Sequence, residues 1–357
     1  MRFLEIRDGT GDGTFLRGAK GGGPDGEPGR RPVLGVLGTL VWDTIRNRDI
    51  RVEPVEEWGG IGYALEALTV ELPEEWEILP LVRVGRDLAE PALRYLRDLP
   101  RVRVEPGVVV VPHSNNRVEL VYRDGVRLTE RLTGGVPPWG WPQLSPLLGL
   151  CDALYVNFIS GFEMELETAR SLKLGFKGPI WADLHSLFLG VGVEGARFPR
   201  PLPAWADWLH SFDAVQMNED EFQLLGEAVG DPWALAGAVV GADLDLLTVT
   251  LGPRGAAYVA RGGFSPEPRD WPKGRGRMAD PAPTRSGKVD ASGTATQGDT
   301  TGCGDVWGST AFARLLAGDD LETAMGRANA QAARNVGHRG ARGLRHHLSG
   351  RVAPGDP

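Results

Sequence analysis

The sequence predicts an α/β fold, a three-layer α/β/α sandwich around a mostly parallel sheet, with a small β-sheet lid beside it. Three observations carry this expectation. Val33–Leu40, Ala153–Ile159, Pro179–Leu184, Ala214–Met217 and Leu246–Leu251 are short, nearly continuous apolar runs, the pattern of strands buried on both faces. Glu163–Leu174, Asp220–Ala228 and Val306–Ala317 carry apolar residues at helical spacing, so strands alternate with helices. The rhythm breaks at Val102–Val111 and Arg117–Leu132, where β-rich segments follow one another and Asp124-Gly125 marks a hairpin turn. Segments near 45–58 and 102–132 are therefore expected to form the lid.

The chain's 357 residues, 41% hydrophobic and 24% charged, suffice for one large domain with a sizeable core. Residues 1–31 are dense in glycine and charge and read as a flexible tail; 32–344 form the domain, and 345–357 read as a second tail. The glycine- and proline-rich stretch at 262–298 reads as a long loop. Thirty-nine basic against 47 acidic residues give a net charge of −8, which argues against a nucleic-acid partner. Cys151 and Cys303 are the only cysteines, so no disulfide framework or cysteine-rich zinc site is expected. The N-terminus lacks the layout of a signal peptide, and the longest apolar run, Val33–Trp42, is about half the ~20 residues of a membrane helix. A cytoplasmic protein without a membrane partner is expected.

The densest chemical signal is Asp299-Thr-Thr-Gly-Cys-Gly-Asp305, which leads straight into the helical pattern VWGSTAFARLLAG. Glycines let the backbone approach an anion closely, and first-turn N–H groups point outward at the positive end of the helix dipole. An acid beside a bound phosphate is repelled by it, so Asp305 reads as the base that takes a proton from an attacking hydroxyl. Alternatively, Asp305 caps the helix. From this segment alone both readings stand. Cys303, at a glycine-rich helix start, suggests a lowered thiol pKa and sensitivity to oxidation.

DTTGCGDVWGSTAFARLLAG resembles the C-terminal signature of the ribokinase-like (PfkB-type) sugar and nucleoside kinases, and the rest of the chain falls into that family's order. VLGVLGTLVWDTI resembles its first strand, ending in the substrate-holding aspartate, here Asp43. WGGIGYALEAL resembles the glycine pair that contacts the sugar, Gly59 and Gly60, and VRVGRD a further segment with Gly85 and Asp87. MNEDEF resembles an N-x-x-E motif linked to magnesium and phosphates, giving Asn218 for the nucleotide and Glu221 for the metal. VTLGPRGA resembles the nucleotide segment, with Thr250, Gly252 and Gly255, and RANAQAARNVGHRGA the late helix bordering the adenine, with Asn329.

The resemblance spans roughly 33 to 342. It implies transfer of the γ-phosphoryl group of ATP to a primary hydroxymethyl group of a sugar or nucleoside, with Mg2+. Asp305 would be the base, and the amides of Gly302, Cys303 and Gly304 the anion hole. It also implies a homodimer through the lid and activation by a monovalent cation such as K+, near Asp299 and Gly337–Ala341. Two departures touch the substrate side: Val41-Trp42 stands where an asparagine often precedes Asp43, and Tyr63 or Ala64 where one often follows the glycine pair. No Walker A loop, dinucleotide fingerprint or G-x-S-x-G elbow is present. The alternative from another class is a non-catalytic ligand-binding or regulatory protein on the same fold.

Overall fold

The computed structural model describes residues 30–47, 53–123, 126–227, 230–241, 243–275, 283–291 and 298–351. Most of the segment read as an N-terminal tail, the Asp124-Gly125 turn and residues 352–357 lie outside the described residues.

The chain opens with β1 (Val33–Leu37), β2 (Leu40–Asn47), β3 (Val55–Gly60), α1 (Ile61–Glu71), β4 (Glu77–Gly85), α2 (Ala89–Arg97) and β5 (Val108–Val111). Next come β6 (Arg117–Arg123), β7 (Val126–Thr133), α3 (Trp141–Leu148), β8 (Ala153–Asn157), α4 (Leu166–Gly175) and β9 (Ile180–Asp183). A short hairpin, β10 (Leu189–Val191) and β11 (Arg197–Pro199), precedes α5 (Trp205–His210), β12 (Ala214–Asn218), α6 (Glu219–Gly226) and α7 (Pro232–Val239). The chain continues through β13 (Leu246–Thr250), β14 (Ala256–Ala260), β15 (Arg285–Val289), α8 (Cys303–Leu316), α9 (Leu321–Asn335) and α10 (Leu344–Ser349).

Nine strands form the main sheet in the order β15-β14-β13-β12-β9-β8-β1-β4-β5. All neighbours from β13 to β5 pair parallel, and β14 and β15 add an antiparallel edge. Every residue of β1 is buried, and its side chains alternate between two cores. Leu34 and Val36 join the core containing Ile61, Leu65, Phe312 and Met325, whereas Val33 and Leu37 join that of Leu144, Leu172, Leu209 and Phe222. Helices α1, α8 and α9 thus cover one face, and α3 to α6 the other. A one-residue slip of β1 would exchange both sets, so the register is fixed. The expected three layers are present.

The lid is a four-stranded sheet ordered β3-β2-β6-β7, with Val41, Val118 and Leu120 packed against Ile45, Leu132 and Ile159. Its extent corrects the expectation at one end. Val108–Val111 pairs parallel with β4 and closes the edge of the main sheet, so residues 102–111 are not lid. A short apolar run does not say which sheet it joins.

Two segments read as loop or tail are packed. Within 262–298, β15 pairs with β14, and Trp271 is fully buried against Phe312. Arg275 donates from Nε to Asp213 Oδ1 (2.8 Å) and from Nη1 and Nη2 to the Phe176 and Gly178 carbonyls, which ties the segment down. At the C-terminus, α10 buries Leu344 and Leu348 beside Tyr63, Ala67 and Val306. Arg345 pairs with fully buried Glu66. The two leucines are four apart on one face, too short an apolar stripe to stand out from the flanking histidines.

Candidate active site

Strand order reverses at β1. One direction leads to β4 and β5, the other to β8, β9 and β12. In such sheets a crevice opens at the carboxyl ends of the strands beside the reversal, and ligands bind there. Asn157, Asp183, Asn218 and Thr250 end β8, β9, β12 and β13 respectively. A cleft of about 650 Å³ lies at these ends, with the lid as its other wall.

Asp305 lies in the first turn of α8, beyond a glycine turn, and lines the cleft. Asn157 Nδ2 donates to Asp305 Oδ1 at 2.7 Å. Burial, first, lifts the Asp305 carboxyl above its ordinary range; the Asn157 bond and His185 restrain it, and Glu221 adds to the rise. Asp183 is buried too. Burial, then Asp305 and Glu221, raise it to about 8. Gln216 Nε2 donates to Asp183 Oδ2 (2.9 Å) and to the Gly304 carbonyl (3.0 Å), joining β12 to the start of α8.

Gly302 and Gly304 are glycines for different reasons. Gly302 has φ 77°, and a Cβ there would fall 2.3 Å from the Tyr63 ring, so the fold itself requires glycine. A Cβ on Gly304 would meet nothing nearer than Asp183 Oδ2 at 3.8 Å. The fold leaves room for a side chain at Gly304, and that room faces the cleft. The Cys303 amide turns back to the Thr300 carbonyl at 3.2 Å, so its N–H is already engaged. Burial pushes the Cys303 thiol up to about 11, which reverses the expectation of a low pKa.

Asn218 caps α6 and Glu221 closes a capping box: Glu221 N donates to Asn218 Oδ1 (2.9 Å) and Asn218 N to Glu221 Oε2 (2.8 Å). Glu221 is 6% exposed, and its Oε1 accepts from Asn218 Nδ2 and bonds His185 Nδ1. Burial opposes charge on His185, but Glu221 and Asp183 overcome it and lift the imidazole to about 9. Both Glu221 oxygens are thus occupied, and among the described residues no three His, Cys, Asp or Glu side chains form a metal-ligand group. The acid-rich wall of Asp183, Glu221 and Asp305 fits a divalent cation held through water and through oxygens of a bound anion.

Asp43 departs from expectation in its position. It sits within β2, on the lid, because the chain breaks at Gly38-Thr39 after β1. Its carboxylate is 4% exposed, lines the cleft, and packs on Gly59, where a Cβ would fall 1.7 Å from Oδ2. Burial, then Asp305, Glu130 and Asp299, raise it well above the ordinary carboxylate range. Gly60, Thr250 and Gly252 also line the cleft.

Gly255 and Asn329 are not among the lining residues. A Cβ on Gly255, with φ 87°, would strike the Val289 carbonyl at 2.1 Å. Asn329 Oδ1 accepts from Trp307 Nε1 and its Nδ2 donates to the Val289 carbonyl (2.8 and 3.0 Å), binding α9 to α8 and β15. Asp87 accepts from Asn115 N and Arg117, holding the loops below the lid. Trp58 is fully buried, edge-on to Trp42 and stacked on Tyr95, so it is core. Motif reading missed Asn157, Gln216 and Glu130; Asn157 sits at a strand end and Gln216 is a polar residue inside an apolar strand, which were the available signals.

Comparisons with known proteins agree with this geometry. A family model described as "pfkB family carbohydrate kinase" matches residues 195–347. No curated protein matches the chain. Among solved structures, a ribokinase from Thermotoga maritima is similar at TM-score 0.65 and 17% identity, over 89% of this chain and 98% of that one. An adenosine kinase from Sinorhizobium meliloti gives 0.65 and 17%, over 90% and 98%. A Burkholderia thailandensis nucleoside kinase solved with inosine gives 0.62 and 16%, over 89% and 96%. The fold is that of these proteins, and the resemblance to ribokinase-like, PfkB-type kinases is borne out.

Proposed function

We propose that this chain, ribokinase-like in fold and signature, is a kinase that transfers the γ-phosphoryl group of ATP to a primary hydroxymethyl group of a sugar or nucleoside. The observation that carries the reading is the placement of Asp305: half-buried, at the start of α8 beside the glycine turn, with Asp43 across the same cleft. The names of the similar structures, a ribokinase, an adenosine kinase and a nucleoside kinase, support the same class.

In this reading Asp43 accepts a hydrogen bond from an acceptor hydroxyl and orients it. Asp305 takes the proton of the attacking hydroxymethyl group as the oxygen closes on phosphorus. The carboxyl's raised pKa makes it a better proton acceptor, while the Asn157 bond favours its ionised form and aims it. The amides of Gly302 and Gly304 and the half-buried His185 face the charge on the transferring group, while the Cys303 amide stays with the Thr300 carbonyl. Magnesium, when bound with the triphosphate, neutralises phosphate charge, with Glu221 and its acidic neighbours as partners through water. Thr250 and Gly252 border the donor; Asn218, Gly255 and Asn329 shape the elements around it. The lid, seated on Ile159, excludes water during transfer.

Replacing Asp305 by Asn lowers kcat by ~10²–10⁴-fold, the usual share of a general base, and leaves ATP binding in place. Turnover within tenfold of the native protein would remove the base assignment. The reading extends to a cytoplasmic homodimer joined through its lids, checked by a light-scattering mass near twice 38.5 kDa. It also extends to K+ activation where Asp299 N meets the Val336 carbonyl (3.2 Å), checked by comparing rates in potassium and in a bulky organic cation.

A further inference from the structure

We infer that the acceptor is an uncharged hydroxymethyl compound with an apolar ring system, a nucleoside rather than a free sugar or a sugar phosphate. This rests on the kinase reading above and deepens it. The acceptor end of the cleft lies under the lid, around Asp43. Two carboxylates face that space, Asp43 and Glu130, and among the described residues no donor is hydrogen-bonded to the Asp43 carboxylate. An acceptor hydroxyl supplies such a donor. A phosphate group carried by the acceptor would be repelled by these acids wherever they ionise.

The positive charge nearest this space is already paired, Arg197 with Glu130 at 3.9 Å and His185 with Glu221. Among the described residues Arg254 is the sole lysine or arginine of the lining, and it pairs with Glu219 beside Gly252, at the donor end. Arg197 stands behind Glu130, 2% exposed, and donates to the Ser160 and Ser186 carbonyls.

Beside these acids the wall under the lid presents mainly hydrocarbon. Val41, Val118 and Leu120 come from the lid, Ile159 from the loop after β8, and the Tyr63 ring lies below Gly302. A free sugar presents hydroxyls on every side. Those turned to this wall would lose water and find no partner, which costs affinity. A nucleoside presents sugar hydroxyls on one side and a flat ring on the other, and the ring gains from burial against aliphatic side chains.

Titration calorimetry on the native protein without ATP tests this directly, with inosine and adenosine against ribose, fructose and fructose 6-phosphate. A nucleoside is expected to bind at least tenfold more tightly than either free sugar, with the sugar phosphate weakest. A free sugar or the sugar phosphate binding as tightly, or neither nucleoside binding, would overturn the inference. Ile159→Gln places a polar group on the wall, and the nucleoside-to-ribose affinity ratio is expected to shrink severalfold. An unchanged ratio in a folded variant contradicts the role given to the wall. ATP-dependent phosphorylation is followed in parallel: a nucleoside that binds without being phosphorylated removes the kinase reading and leaves the ligand class standing.

Discussion

The two walls of the cleft are built by different means. The sheet wall consists of the ends of β9, β12 and β13 and the start of α8, elements packed against the two hydrophobic cores. The lid wall is a four-stranded sheet whose own cluster, among the described residues, has Val41, Val118 and Leu120 as its buried members. The groups assigned to phosphoryl transfer, Asp305, Asp183 and the glycine turn, stand on the first wall. Those assigned to the acceptor, Asp43 and the aliphatic side chains, stand chiefly on the second. Rigid support goes with the chemistry that needs fixed geometry; the lighter lid goes with the choice of substrate.

The sharpest way to break this comparison is at the two glycines. Gly304→Ala is expected to lower turnover ~10²-fold, the scale of one anion-stabilising group, with an unchanged melting temperature. Gly302→Ala forces a strained backbone and a clash with Tyr63, at about 1–3 kcal/mol, so its melting temperature falls by several degrees. Calorimetry and steady-state kinetics on the pair separate a glycine the ligand needs from one the fold needs.

Core truncations test the unequal support of the walls. Leu34→Ala, in the sheet, costs about 2–5 kcal/mol in denaturant unfolding. Leu120→Ala, in the lid, is expected to cost less and to raise KM for the acceptor. Equal stability losses with unchanged KM would dissolve the distinction.

A smaller effect concerns pH. Ionised Asp305 is the active form, so turnover falls as pH drops through its pKa. The Asn157 hydrogen bond lowers that pKa. Asn157→Leu removes it, the pKa rises, and the acid limb of the kcat profile moves to higher pH. A limb that stays in place or moves down detaches Asn157 from Asp305. The smallest effect is at Cys303, whose thiol at about 11 is expected to alkylate more than tenfold more slowly in the native protein than in denaturant at pH 8.

The sheet was legible because its strands are unbroken apolar runs, and the anion turn because two glycines and an aspartate stand together before a helix. Asp43, Gly60, Gly302 and Glu221 reach the cleft from segments the motifs marked. Other features depend on contacts that no local pattern encodes. Asn157 meets Asp305 across 148 positions of sequence, and Gln216 meets Gly304 across 88. The run Val108–Val111 suits either sheet and joined the larger one. Asn329 and Gly255 fit a nucleotide motif, yet both are engaged in packing. Cys303 has the local setting of a reactive thiol, and burial outweighs it.

The most direct measurement of the central claim is acceptor-dependent ADP formation from Mg-ATP by the native protein, run across nucleosides and sugars beside the Asp305→Asn variant. The account predicts ADP release that depends on a hydroxymethyl acceptor, favours a nucleoside, and is lost in the variant. ADP release indifferent to both acceptor and variant, or bound ATP with no turnover on any acceptor, would contradict it.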